Sequence, residues 1–180
     1  MTKHRGAFFA YLIAFLLWGA VLFVAVACAP TAADKGKATT GTVLPQLRVM
    51  AVTSDWSALV TKSYAEVDRD WLLRSYDLWR AEVHSLGVTK WDPRFNCVHF
   101  SQHFVAWLQL RYYLQTFHAP GAAADGLAAG VFAYKRQTDG TGHALLIVLT
   151  QNGREFFEPQ TGQFVTLTPD EIKSSWARWM

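Results

Sequence analysis

The chain has 180 residues, enough for one domain with a substantial core, and 51% of them are hydrophobic. With 8 Trp, 12 Phe and 6 Tyr, this composition excludes an intrinsically disordered protein. The 17 basic residues, two of which (Lys3 and Arg5) belong to the N-terminal segment, are balanced by 14 acidic ones, so no nucleic-acid partner is expected.

Residues 1–28 predict a signal peptide or a membrane anchor. Lys3 and Arg5 precede an uncharged run over 6–33, which is long enough to span a bilayer. Alternatively, the residues "AVAC" resemble the lipobox of bacterial lipoproteins, with Ala25 where Leu is usual, and the resemblance makes Cys28 the lipidation site. The lipoprotein alternative is favoured. Both place the domain on the extracytoplasmic side of the cell membrane or outer membrane.

The rest of the chain predicts a tether followed by one folded domain. Residues 29–45 are small and polar, as in flexible tethers, and the domain is expected over 46–180. Apolar spacing first follows a helical period and then a strand period. The expected helices cover residues 54–67, 68–86, 97–117 and 169–179, and the expected strands cover 130–136, 143–150, 154–159 and 163–168. This order predicts an α+β fold in which a long helix headed by Cys97 packs on a small antiparallel sheet.

Cys97 is the only cysteine of the predicted domain, which therefore has no internal disulfide to form. The first turn of a helix lowers the pKa of a thiol placed there. His143 opens the first strand of a hairpin, and Glu158 and Gln160 follow on the return strand. A thiol, an imidazole and an orienting acceptor in this order favour a nucleophilic cysteine over the simpler interpretation of a buried, space-filling residue.

The segments "CVHFSQHFVAWLQLRYYL" and "GHALLIVLTQNGREFFEPQTG" resemble the transglutaminase-like and papain-like cysteine peptidases, in which a Cys-headed helix is followed by "HA" on a strand and then by an acid–Pro pair. The Cys–His–Glu set also resembles the peptidase domain attached to some fungal agglutinins. The resemblance covers about 96–166. It implies a papain/transglutaminase-like fold with Cys97 as nucleophile, His143 as general base and Glu158 as orienting carboxylate. Trp91 stands where papain-like enzymes commonly carry an oxyanion-stabilising Gln.

The orienting residue has two candidates. If residues 152–153 form a two-residue turn, His143 faces Gly162 and has Gln160 as its diagonal neighbour. Glu158 then lies two residues further along the same face. A bulge or a different loop would shift the register and place Glu158 next to His143. The resemblance favours Glu158, with Gln160 as the alternative.

The sequence also offers a zinc site near Cys97, as an alternative to a nucleophilic cysteine. His99 and His103 lie four residues apart on one helix face, but only Asp92 adds a further ligand nearby. The favoured interpretation is that both histidines cap the helix edge or face solvent, so neither a metal nor another cofactor is expected.

These features predict a membrane-tethered, extracytoplasmic thiol hydrolase or acyltransferase that acts on peptide or isopeptide amide bonds through Cys97, His143 and Glu158. The expected partners are a peptide or cell-envelope substrate, and the membrane through the N-terminal segment or a lipid on Cys28. The alternative is a catalytically inactive lipoprotein that uses the same fold as a binding or structural module.

Overall fold

The structure is a computed structural model that describes residues 36–46, 48–49, 57–58, 61–117 and 124–179. These residues belong to one compact unit that begins at Gly36. The predicted signal or anchor segment, the proposed lipidation site Cys28 and the first part of the predicted tether lie outside the described residues. Among the described helices, none is both long and apolar enough to cross a bilayer.

Strands and helices take similar shares of the described part of the chain. The strands are β1 (Thr39–Pro45), β2 (Ser57–Ala58), β3 (Ser63–Val67), β4 (Gly126–Leu127), β5 (Ala129–Lys135), β6 (Gly142–Thr150), β7 (Gly153–Glu158), β8 (Gln163–Val165) and β9 (Ala177–Trp179). The helices are α1 (Arg69–Ser85), α2 (Cys97–Thr116) and α3 (Pro169–Lys173).

The strands whose residues are described form one mixed sheet of nine. Its main path runs β1-β3-β6-β5-β9-β2, while β4 joins β3, and β7 joins β6 and then β8. The pairs β5–β6, β6–β7 and β7–β8 are antiparallel, whereas β3–β4, β3–β6 and β2–β9 are parallel. Strand β6 is therefore the centre of the sheet, with three neighbouring strands.

Strand β6 is buried on both of its faces. Leu146 and Val148 join the core cluster under α1 and α2, where Trp79, Phe104 and Leu108 are fully buried. The intervening residues of β6 join a second cluster on the opposite face, and these are Leu145, Ile147 and Leu149. A strand covered on both sides favours apolar residues at successive positions, which explains the unbroken apolar run over 144–149.

The helix predicted over 54–67 is wrong. Residues 63–67 form β3, in which Tyr64, Ala65 and Val67 are buried, and residues 57–58 form β2. Short apolar segments fit helical and strand spacing equally well, and pairing with β1 and β4 decides the outcome. Strand β1 in turn occupies the last seven residues of the predicted tether, so residues 39–45 belong to the fold.

The predicted papain/transglutaminase-like architecture is also wrong as a description of this chain. That fold placed helices first and a small antiparallel sheet second. The described residues instead form a strand-rich mixed sheet, with strands before the helices and a final strand, β9, within the predicted terminal helix. The helices predicted over 68–86 and 97–117 are confirmed as α1 and α2.

Candidate functional site

Cys97 is the first residue of α2, and the preceding residue fixes it there. Asn96 is the N-cap, and its side-chain oxygen accepts a hydrogen bond from the Val98 amide at 3.1 Å. The Asn96 amide donates to Nδ1 of His99 at 3.3 Å, which completes a capping box. Capping satisfies amides at the helix start that have no partner within the helix, so the start of α2 is held at Cys97.

Small residues let this helix start approach the sheet closely. Cys97 and Val98 pack against a cluster formed by Val131 and Ala133 of β5 and Ala144 of β6. The Ala144 backbone also hydrogen-bonds the Cys97 thiol. Since Ala144 follows His143, this contact brings the thiol to the imidazole.

The structure brings Cys97, His143 and Glu158 together. The thiol of Cys97 hydrogen-bonds the His143 side chain, and Nε2 of His143 contacts Oε2 of Glu158. His143 and Glu158 are 5% and 9% exposed, so water competes little for their contact. The second carboxylate oxygen, Oε1, accepts a hydrogen bond from the Gln160 amide at 3.0 Å. Glu158 rather than Gln160 is therefore the partner of His143.

The hairpin register brings Glu158 within reach of the imidazole, and the turn that follows Glu158 removes Gln160 from the ladder. Thr150 pairs with Gly153, so the loop consists of residues 151–152 and not 152–153 as the Asn-Gly signal predicts. Gly153 takes a φ of 91°, the left-handed conformation that follows the loop in bulged hairpins. Continued beyond Leu146 and Phe157, this register puts Glu158 opposite Leu145 and therefore diagonal to His143. The strand ends at Glu158, whose carbonyl accepts from the Thr161 and Gly162 amides in the following turn.

Arg136 is a charged neighbour that sequence reasoning missed. Its Nη2 lies 3.1 Å from Nδ1 and 3.2 Å from Nε2 of His143. A nitrogen almost equidistant from both ring nitrogens lies over the imidazole face and not along either lone pair. Arg136 follows β5 and begins the loop to β6, where its amide donates to the Thr141 carbonyl at 2.9 Å.

The contacts of Cys97 favour its ionised form. Partial burial would raise the pKa of the thiol, but the hydrogen bond and charge of His143, together with the Ala144 and Val98 backbone, lower it below the ordinary value. Burial would likewise lower the pKa of His143. The hydrogen bonds to Cys97 and Glu158 and the carboxylate charge outweigh both burial and the Arg136 charge, and they raise the pKa of His143 from 6.5 to about 9. Both shifts favour a thiolate–imidazolium pair.

The pair opens into a cleft of about 660 Å³. Trp91 and Trp176 line it and are 53% and 59% exposed. Polar groups complete the lining, among them the side chains of Asn96, Arg136, Thr141 and Gln160. The sequence places Trp91 near Cys97, but it gave no signal for Arg136, Thr141 or Trp176, which come from loops at the ends of β5, β6 and β9.

The two histidines considered as zinc ligands have other partners. His99 takes part in the Asn96 cap, and Nδ1 of His103 accepts a hydrogen bond from Trp79 Nε1 at 2.7 Å. Within the described part of the chain, no group of three potential ligands among His, Cys, Asp and Glu converges. The helix-capping interpretation accounts for His99.

Comparison with known proteins gives fold-level similarity alone. No protein-family model matches the chain, and neither does any curated protein. One similar solved structure is the PSL1a-E64 complex, with a TM-score of 0.53 and 19% identity over 76% of this chain and 49% of that chain. Another is Polyporus squamosus lectin bound to the human-type influenza-binding epitope Neu5Aca2-6Galb1-4GlcNAc, with a TM-score of 0.49 and 19% identity over 74% of this chain and 45% of that one. The chain thus spans about half the length of each.

These comparisons correct the family and the activity predicted from sequence. A solved structure that is similar to this chain with a TM-score above 0.5 is the PSL1a-E64 complex, and no model of a transglutaminase-like or papain-like peptidase family matches the chain. The assignment to that superfamily is therefore wrong, and the predicted hydrolase or acyltransferase activity on peptide or isopeptide bonds has no support. The lipoprotein and membrane assignments concern residues that the structure does not describe.

Proposed function

We propose that the described domain is a binding module whose ligand occupies the cleft above Cys97 and meets a reactive thiolate at its floor. The observation that carries this proposal is the hydrogen-bonded set of Cys97, His143 and Glu158 opening into that cleft. A half-buried thiol with a depressed pKa beside a buried imidazole–carboxylate pair is a rare environment for a space-filling cysteine.

Each member of the set has a distinct proposed role. Cys97 supplies the nucleophilic sulfur, and His143 holds the proton that the thiol gives up. Glu158 keeps the imidazole in place through Nε2, which leaves Nδ1 on the thiol side. The Gln160 amide in turn holds Glu158, so Gln160 supports the set through its backbone.

The pH dependence of Cys97 alkylation tests this proposal. Iodoacetamide is applied to the full chain, and modification is followed by mass spectrometry of the peptide that contains Cys97, so that Cys28 does not interfere. We expect the pH midpoint of Cys97 alkylation to lie below the pKa of a free thiol, roughly 8.5. In His143→Ala this midpoint should move upward. Cys97→Ser is the control that sets the background. A midpoint of a free thiol, or modification only after unfolding, would refute the reactive thiolate.

E64 is a second probe, because the PSL1a structure of similar fold is a complex with it. If the cleft of this chain binds E64 at Cys97, the thermal midpoint rises on addition of the compound and Cys97 is protected from iodoacetamide. Cys97→Ser and His143→Ala serve as matched controls. The absence of both effects would indicate that the cleft selects other ligands.

The exposed indole rings favour a glycan as a ligand of the cleft. Trp91 and Trp176 present large apolar faces beside amide, hydroxyl and guanidinium groups, the combination that binds the apolar face and the hydroxyl groups of a sugar. The Trp176 ring is also held in place, since its edge lies 3.1 Å from where a Cβ on Gly142 would be, and its amide donates to the Ala133 carbonyl.

A glycan array distinguishes this candidate from other ligands. We expect the full chain to bind a subset of the glycans on the array. Trp176→Ala should bind these glycans at least tenfold more weakly, because it removes an aromatic anchor. Trp107→Ala is the control, because Trp107 lies on α2 outside the cleft and bonds Glu82. Equal losses in both variants, or no retained glycan, would exclude the cleft as a glycan site.

A further inference from the structure

We infer that Arg136 makes the cleft selective for ligands that carry a carboxylate next to the group that meets Cys97. This inference rests on the proposed function, because it names the chemical class of the ligand at the same site. It draws on the position of Arg136, on the charges around the cleft and on the hydrogen bonds that already occupy the nearby acidic groups.

Arg136 points into the cleft while remaining half-buried. It lines the cleft together with Cys97 and His143, and its Nη2 lies over the imidazole at 3.1 Å and 3.2 Å from the ring nitrogens. Its side chain also hydrogen-bonds the Tyr134 hydroxyl. The guanidinium thus contacts a neutral phenol and a ring that is itself prone to carry positive charge, and neither neutralises its charge.

No carboxylate of the described residues pairs directly with this guanidinium. Among the described residues Arg136 forms no ion pair, although Asp139 and Glu171 lie near enough to influence it. Asp139 accepts from the Thr141 amide and hydroxyl, and Glu171 accepts from the amides of Gln137 and Thr168. Glu158 is buried behind His143 with both oxygens in use.

Among the described residues, the charge on Arg136 therefore has no carboxylate in a direct ion pair. Cys97 and His143 together add no net charge as a thiolate–imidazolium pair, and the carboxylate of Glu158 is buried behind His143, so Arg136 is the charged group that faces a ligand in the cleft. A guanidinium binds a carboxylate with two parallel hydrogen bonds, and it is less strongly hydrated than an ammonium. A carboxylate on the ligand would bind Arg136 within reach of the sulfur.

Iodoacetate and iodoacetamide test this directly, because they differ by one charge and react alike. In both, the Cys97 sulfur attacks the methylene carbon, a carbon–sulfur bond forms, the carbon–iodine bond breaks and iodide leaves. The measurement is the ratio of the two second-order rates at the Cys97 peptide of the full chain. We expect Arg136→Gln to lower the iodoacetate-to-iodoacetamide ratio roughly five- to tenfold.

The ratio separates anion recognition from a general loss of reactivity. Any change in thiol ionisation caused by Arg136→Gln alters both rates equally and leaves the ratio unchanged. Arg136→Lys retains the positive charge and should keep most of the preference. Arg111→Gln is the control for net charge, since Arg111 lies fourteen residues further along α2, roughly 21 Å from Cys97, and stacks on Trp107.

Three outcomes would overturn the inference. A ratio unchanged in Arg136→Gln, or lowered equally in Arg111→Gln, shows that Arg136 does not select the anion, while the reactive thiolate stands. A ratio equally low in Arg136→Lys and Arg136→Gln would assign the selection by Arg136 to the two parallel hydrogen bonds of its guanidinium and not to charge alone. If neither reagent modifies folded Cys97, the proposed function fails and the inference fails with it.

Discussion

His143 is the residue on which the site depends. It is 5% exposed and contacts the thiol of Cys97, the carboxylate of Glu158 and the guanidinium of Arg136. Two of these neighbours favour the imidazolium and the third opposes it. Because the net effect raises the pKa of His143 to about 9, protonation of this residue is coupled to folding.

Glu158→Gln should weaken that coupling in a pH-dependent way. The folded pKa of about 9 exceeds the ordinary 6.5, so the stabilisation is fully present below about pH 6.5 and is lost as the pH rises through 9. Its size is on the order of 3 kcal/mol in the free energy of unfolding. We expect the deficit of the variant, measured by urea unfolding, to be larger at pH 6 than at pH 9.5. Equal deficits at both values would argue against this coupling.

At the level of elements, the start of α2 places the thiol, and the sequence predicts this start well. Asn96 before an apolar run and Pro93 shortly upstream indicate a helix that begins at Cys97, which is where α2 begins. The hairpin of β6 and β7 is also predicted, but its turn is displaced by one residue. Local signals identify a turn, whereas the conformation of Gly153 decides the pairing.

Two substitutions at Asn96 separate capping from charge. Asn96→Ala removes the acceptor of the Val98 amide and should lower the free energy of unfolding by about 1 kcal/mol. Asn96→Asp keeps the acceptor and places a negative charge next to Cys97, which should raise the pKa of the thiol. Urea unfolding and the alkylation midpoint measure the two effects. A lowered midpoint in Asn96→Asp would contradict this account.

The turn between β7 and β8 should not tolerate a side chain at Gly162. This residue has a φ of 75°, and a Cβ there would overlap the ring of Tyr76, which packs against Phe104 and Phe157. Gly162→Ala therefore combines backbone strain with overlap and should cost about 2–4 kcal/mol in urea unfolding.

Gly87→Ala is the matched control for that substitution. Gly87 has a φ of 85° but open space where a Cβ would lie, so only backbone strain of about 1–2 kcal/mol is expected. A cost in Gly162→Ala no larger than in Gly87→Ala would show that Tyr76 moves aside freely.

At the scale of the molecule, the sheet separates two apolar clusters, and the larger one lies under α1 and α2. Phe104 is fully buried in this cluster, against Trp79 and Phe157. Phe104→Ala should cost about 3–5 kcal/mol in thermal or urea unfolding. Leu114→Ala on the same helix, at a residue 56% exposed, should change stability by at most about 0.5 kcal/mol. Similar costs would mean that α2 does not pack as described.

Three of the residues that meet at the site could be predicted from the sequence, but the full set of strands that positions them could not. Cys97, His143 and Glu158 carry signals in their immediate surroundings: a helix start, a strand start and an acid–Pro pair. Arg136 and Trp176 carry none, because their place in the cleft depends on long-range pairing of β5 with β6 and β9. For the same reason β1 and β2 were missed, since pairing with distant strands makes them strands.

The position of β9 has a consequence for the order of folding. Strand β9 follows every other strand in the sequence but pairs with both β5 and β2, so the sheet path stays incomplete until the residues around 177–179 have been synthesised. Contacts across so large a sequence separation form slowly. Cys97, His143 and Glu158 lie earlier in the chain than Trp176, which closes the cleft. The wall that Trp176 adds to the cleft therefore depends on the last of the described strands, whereas Cys97, His143 and Glu158 all precede that strand.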